Sequence, residues 1–192
     1  ELATLSKAGG DALVVIAYAG DSGSKIVKQA IEGGLFTKFI GTDGLRDEAL
    51  ISDIGAEALA TSFFSAPTSP ADNPNQAKLH ELYTAAYNEP ADKPFVDQTY
   101  DATFLALLAV EQAGSADRSK MAEALRAVAS APGEKVGPGE WAKAKALIAE
   151  GKDIDYDGAG GSYDFDENGD VAGFIGKFVV DGDVYKQIAI VE

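Results

Sequence analysis

Ala12-Leu13-Val14-Val15-Ile16-Ala17-Tyr18 is followed at once by Ala19-Gly20-Asp21-Ser22-Gly23-Ser24. A near-continuous apolar run of strand length predicts a strand buried on both faces of a parallel sheet. The small polar residues after it read as a loop leaving the strand's carboxyl end. That loop opens a helix reaching about Glu32, with Asp21 or Ser22 as cap and Gly33-Gly34 as stop. In open α/β sheets, ligands bind outside the carboxyl ends of strands. A helix N-terminus adds free N–H groups there.

Outward from this unit the period keeps alternating. Residues 1–8 read as helix, ended by Gly9-Gly10; 38–41 as a strand; 47–54 as a helix; 59–64 as a strand. Such a series implies a parallel sheet flanked by helices. Residues 65–74 carry Pro67, Pro70 and Pro74 among Ser, Thr, Asp and Asn, and read as a linker or crossing. Helices are expected at 75–88, 95–113, 119–130 and 140–150, the last after the break Gly137-Pro138-Gly139. The tail alternates instead, which predicts strands at 161–166, 173–180 and 184–191. Asn168-Gly169 and Asp181-Gly182 are the expected hairpin turns.

The chain has 192 residues, 31 acidic and 16 basic, for a net charge of −15. That balance argues against nucleic acid, which needs a basic face. No apolar run approaches the roughly 20 residues that span a bilayer. Cysteine is absent, which removes disulfides, thiolate chemistry and cysteine-held metal. Glu1-Leu2-Ala3-Thr4-Leu5 already reads as helix, with no signal peptide before it. That is expected where a sequence begins inside a longer polypeptide.

The catalytic motifs fail on chemistry. Gly20-Asp21-Ser22-Gly23 looks like the surroundings of a serine nucleophile, but the chemistry also needs a histidine base. The one histidine, His80, lies in a polar helical stretch and is expected at the surface. Asp164-Phe165-Asp166-Glu167-Asn168-Gly169-Asp170 resembles the start of a calcium loop, yet Ile175 stands where the bidentate glutamate belongs. Gly158-Ala159-Gly160-Gly161 precedes a strand rather than a helix, so it is no dinucleotide fingerprint. A Rossmann-like enzyme lacks a phosphate loop, a base and a metal cluster here. No catalytic residue, metal or cofactor is expected. Three residues stand out for binding: Tyr18 at a strand end, Asp43 in Gly41-Thr42-Asp43-Gly44, and Phe95 after Pro94.

Several segments, in order, resemble the periplasmic substrate-binding proteins of the leucine/isoleucine/valine type. They are 12–30, with Lys28-Gln29-Ala30; Ile31-Glu32-Gly33-Gly34-Leu35; Phe39-Ile40-Gly41-Thr42-Asp43-Gly44; and Phe95-Val96-Asp97-Gln98-Thr99-Tyr100-Asp101-Ala102. Gly137-Pro138-Gly139-Glu140-Trp141, Asp155-Tyr156-Asp157-Gly158-Ala159-Gly160-Gly161 and 165–170 complete the series. The likeness covers essentially the whole chain.

That resemblance implies an α/β fold of the type I periplasmic-binding-protein kind, with parallel sheets flanked by helices in two lobes. It implies a C-terminal portion, the N-terminal half being absent. Residues 1–64 would belong to the second lobe, 65–178 to an incomplete first lobe, and 179–192 to a strand returning to the second. The lobes would close on a ligand by hinge motion. Asp43 would accept an α-ammonium group, Tyr18 would line one wall, and Phe95 would cover the ligand's apolar part. Gly20 and Asp21 would border the cleft. The implied function is capture of a small ligand, an amino acid first of all, for an ABC importer in the periplasm, from a precursor with a signal peptide. The permease subunits would be partners. A sensory or regulatory domain for amides or aromatic acids is the alternative. Apolar faces left open would pair in trans with the missing half or another copy.

Overall fold

The structure is a computed structural model that describes residues 1–191. Helix α1 (Leu2–Ala8) ends at Gly9, whose φ of 84° needs a glycine. The run 12–18 makes ladder bonds only over Leu13–Val15, strand β1. A five-residue turn of π type, Ala19–Gly23, leads into α2 (Ser24–Glu32). No side chain caps α2, so neither Asp21 nor Ser22 takes the expected capping role. Then come β2 (Phe39–Gly41), α3 (Glu48–Ile54), α4 (Ala56–Leu59) and β3 (Phe63–Thr68). Asp47 caps α3 by accepting from the Ala49 N–H at 2.8 Å.

Two boundaries differ from the sequence reading. Helix α4 occupies 56–59, so the third strand starts four residues later than expected. It then runs through Ser65 and Pro67, residues whose composition reads as linker. A place inside the sheet, between β2 and β6, overrides local propensity there.

Helices α5 (Pro74–Tyr87), α6 (Val96–Ala113), α7 (Arg118–Ala129) and α8 (Trp141–Ala149) fall where their periodicity put them. Between them lie two three-residue strands that the pattern did not show, β4 (Glu134–Val136) and β5 (Ile154–Tyr156). The strand expected at 161–166 is replaced by a single bridge, Asp157 to Ser162. Asn168-Gly169 accordingly joins no hairpin. Its turn is closed by Asp166, whose Oδ1 accepts from the N–H groups of Asn168 and Asp170. The final hairpin, β6 (Phe174–Asp181) with β7 (Val184–Val191), turns at Gly182-Asp183. Glu192, counted with the last strand in the sequence reading, lies outside the described residues.

The chain divides into two compact units, 1–67 with 175–191, and 68–174. The first holds a sheet in the order β1-β2-β3-β6-β7, with β1, β2 and β3 parallel and β6 antiparallel to β7. Leu13, Val15, Phe39, Phe64 and Phe178 fill one face against Val27 and Ala30 of α2 and Leu50 of α3. The other face is bare. Val14 is 58% exposed and Ile16 80%, so β1 is buried on one side only, not on both as its composition predicts. No helix among the described residues covers Val14, and an apolar side chain reads the same whether or not a neighbour arrives.

The second unit packs α6, α7 and α8 around the parallel pair β4-β5. Phe104, Leu108, Val128, Leu147, Ile154 and Tyr156 form its core. Rings of Tyr100, Phe104, Tyr156 and Tyr163 stack in sequence through it. Lys135 Nζ spans the strand pair to the buried Asp155 carboxylate at 2.9 Å.

Candidate functional site

In the first unit, parallel pairing puts the carboxyl ends of β1 and β2 side by side. Each strand runs into a tight turn, Ala19–Gly23 after β1 and Asp43–Leu45 after β2. The turns interlock because both carry glycine. A Cβ on Gly44 would stand 3.0 Å from the Tyr18 ring and from the Ala17 carbonyl. A Cβ on Gly23 would meet Leu45 at 2.5 Å and the Tyr18 carbonyl at 2.6 Å. The Tyr18 ring therefore lies directly on the turn that carries Asp43. Its side chain is 73% exposed, so it forms a wall rather than core.

Leu45 is fully buried and anchors the Asp43 turn, whose backbone closes through the Leu45 and Arg46 N–H groups. No side chain among the described residues pairs with the Asp43 carboxylate. An open, half-buried carboxylate on a turn against which an exposed aromatic ring rests can accept a cationic or N–H-bearing group while the ring covers apolar surface. Gly20 and Asp21 are exposed on the neighbouring turn. Four of the five residues singled out from sequence, Tyr18, Gly20, Asp21 and Asp43, thus gather at one end of one sheet.

The fifth, Phe95, belongs to the second unit. It precedes α6 with φ 68° and ψ 5°, a left-handed conformation that costs a bulky residue energy. Its side chain is 40% exposed and borders an apolar groove of about 560 Å³ between α5 and α6. Leu79, Leu82, Tyr83, Tyr87 and Tyr100 line the groove with it.

Sequence reading missed the second unit's polar nodes. Asp101 is fully buried and accepts four hydrogen bonds. Tyr156 Oη donates at 2.6 Å, Tyr163 Oη at 2.8 Å, the Ala159 N–H at 3.1 Å and the Gly160 N–H at 2.6 Å. Burial raises its pKa against the pull of those donors, and burial likewise pushes both phenols up. This node explains Gly158-Ala159-Gly160. A Cβ on Gly160 would stand 2.7 Å from the Tyr163 hydroxyl. His80 stays partly at the surface, as its polar surroundings suggest, but its ring is tied to a buried carboxylate. Its Nε2 sits 2.8 Å from Asp97 Oδ1, and its side chain is only 36% exposed. The available signal was the i, i+4 placement of Asp97 and Asp101 on the apolar stripe of α6.

Among the described residues no cluster of three or more His, Asp or Glu could hold a metal. No helix among the described residues is long and apolar enough to cross a membrane.

The family model of the periplasmic binding proteins matches residues 1–172. The chain belongs to that family. A leucine-binding protein, LivK of Thermotoga maritima, superposes with a TM-score of 0.71 at 25% identity, over 99% of this chain and 47% of that one. LivJ of Streptococcus pneumoniae, a branched-chain amino acid transporter substrate-binding protein solved with isoleucine, gives 0.64 at 20% identity, over 98% and 46%. A substrate-binding protein of a chemotactic signal transduction system, BasB of Halobacterium salinarum, is 26% identical over 149 residues, or 78% of this chain and 34% of its own. This chain thus spans about half the length of these solved relatives. Its fold is that of the type I periplasmic binding proteins.

Proposed function

We propose that this protein captures a small ligand, an amino acid, for delivery to an ABC importer outside the cytoplasm. The observation that carries the reading is the unpaired Asp43 carboxylate on the turn against which the Tyr18 ring rests, at the carboxyl ends of two adjacent parallel strands. Asp43 accepts the ligand's α-ammonium, Tyr18 lines the wall, Gly20 and Asp21 border the entrance, and Phe95 covers the apolar part. The charge-assisted bond at Asp43 contributes about 1.5–3 kcal/mol. Permease subunits are the receiving partner, and the precursor carries a signal peptide. Substrate-binding relatives support binding without turnover. Kinship with BasB favours a second reading, in which the same site reports ligand to a signalling partner.

The bare sheet face supports pairing with a further layer, because parallel strands are ordinarily covered on both sides. Val14, Ile16, Ile175 and Val191 are all between 45% and 80% exposed. The other half of the fold, in cis or in trans, is the expected cover, and a second copy is the alternative.

A thermal-shift screen of amino acids, amides and aromatic acids tests the ligand. A ligand that binds only the folded state raises the melting temperature by mass action. Asp43→Ala should remove the shift given by an amino acid. A shift that survives removes Asp43 from the site.

A further inference from the structure

The Asp97 carboxylate gathers three side chains from two segments, the stretch before α5 and α5 itself. Ser69 Oγ donates to Oδ2 at 2.6 Å and Gln76 Nε2 donates to the same oxygen at 2.7 Å. His80 Nε2 lies 2.8 Å from Oδ1. Gln76 and His80 are one turn apart on α5, so both face α6. The next residue, Gln98, donates its Nε2 to the Thr68 carbonyl at 3.2 Å. Thr68 and Ser69 are the first residues after the boundary that follows Pro67. The first turn of α6 is therefore fastened twice to the segment by which the chain enters the second unit.

This node is outside the hydrophobic cluster that stabilises the unit. A buried carboxylate is weak evidence for stability, since desolvation offsets most of what its partners return. Its value lies in fixing one geometry. Two residues upstream stands Phe95, held in a left-handed conformation that persists only where surroundings over-determine it. Pro94 before it and the α6 turn after it are those surroundings, and Asp97 fixes the turn.

We propose that Asp97, with Ser69 and His80, is a positioning residue that couples the entry segment of the second unit to the conformation of Phe95. It never touches ligand. It sets affinity by keeping the Phe95 ring presented and by making that presentation depend on where residues 68–70 lie. The inference rests on the ligand-binding reading for Phe95.

The test uses Asp97→Asn and Ser69→Ala, with Ser69→Thr as the rescue that keeps a hydroxyl. Amide hydrogen exchange is read without ligand, and L-leucine binding is read by calorimetry. In Asp97→Asn and Ser69→Ala, amides at 68–70 and 96–99 should exchange about tenfold faster, while those around Leu108 stay unchanged. L-leucine affinity should fall about tenfold with little change in melting temperature, and Ser69→Thr should restore both. Unchanged exchange overturns the coupling. Uniform acceleration across the second unit also overturns it, by making the node merely structural. Local acceleration with unaltered L-leucine affinity overturns the link to Phe95. If the unaltered chain binds no L-leucine, the proposed ligand fails, and the exchange pattern alone decides whether Asp97 is the coupler.

Discussion

Asp43 and Asp101 show how differently the two units treat a carboxylate. At the end of the first unit's sheet, Asp43 is half-buried on a three-residue turn, with no side-chain partner among the described residues. Inside the second unit, Asp101 is fully buried and saturated by four donors. A saturated carboxylate has nothing left to offer a ligand and serves to fix the Gly158–Gly160 loop. An open one contributes little to folding and keeps its bonding capacity for a guest. The two units also differ in closure. The second surrounds its core with helices, whereas the first leaves Val14 and Ile16 uncovered.

This contrast is most sharply tested at Asp101. Asp101→Ala strands two phenols and two N–H groups in the interior, and chemical denaturation should show a loss of about 3 kcal/mol or more. The contrast breaks if the loss is below that of an ordinary surface change. Asp101→Asn isolates the charge. Because the folded-state pKa is raised above 3.8, the unaltered protein binds its proton more tightly when folded. Its stability relative to Asp101→Asn should be greatest below that pH and should decline as pH rises toward the raised value. Urea titrations across that interval give the sign.

Next in size is Gly23→Ala. The added methyl meets Leu45 and the Tyr18 carbonyl, the latter being backbone that cannot swing aside. Overpacking should cost about 1–3 kcal/mol and should abolish any ligand-induced melting shift together with it. Asp43→Ala should separate those two effects. Stability should move by no more than about 0.5 kcal/mol, as for a surface site, while the ligand shift vanishes. Smallest of all in folding energy is Ile16→Ser. An 80% exposed side chain has little burial to lose, so thermal unfolding should barely change. Light scattering should nevertheless report less self-association, since the change interrupts the bare face.

Much of this was readable from residues alone because it is local. Gly9, Gly34 and Pro74 mark element ends through their own backbone geometry, and α5 to α8 follow from apolar periodicity. Tyr18 and Asp43 could be singled out because strand ends and glycine-flanked turns occur at recognisable intervals. The strands β4 and β5 could not be read. Each has three residues, and Glu134 and Lys135 are polar and exposed. Their pairing joins residues twenty apart, and no period reports that. The burial of Asp101 could not be read either, because Tyr156 and Tyr163 reach it from more than fifty positions away.

By itself, then, the sequence determined the alternation of helices and strands, the acidic charge balance, the absence of cysteine chemistry, and the likeness to substrate-binding proteins. Only the tertiary structure decided which side of β1 is covered, that Tyr18 rests on the Asp43 turn, and that His80 and Asp101 are tied inward. The physical reason is range. Propensity and turn chemistry act between residues a few positions apart, whereas burial and hydrogen-bond partnership depend on what the rest of the chain brings alongside.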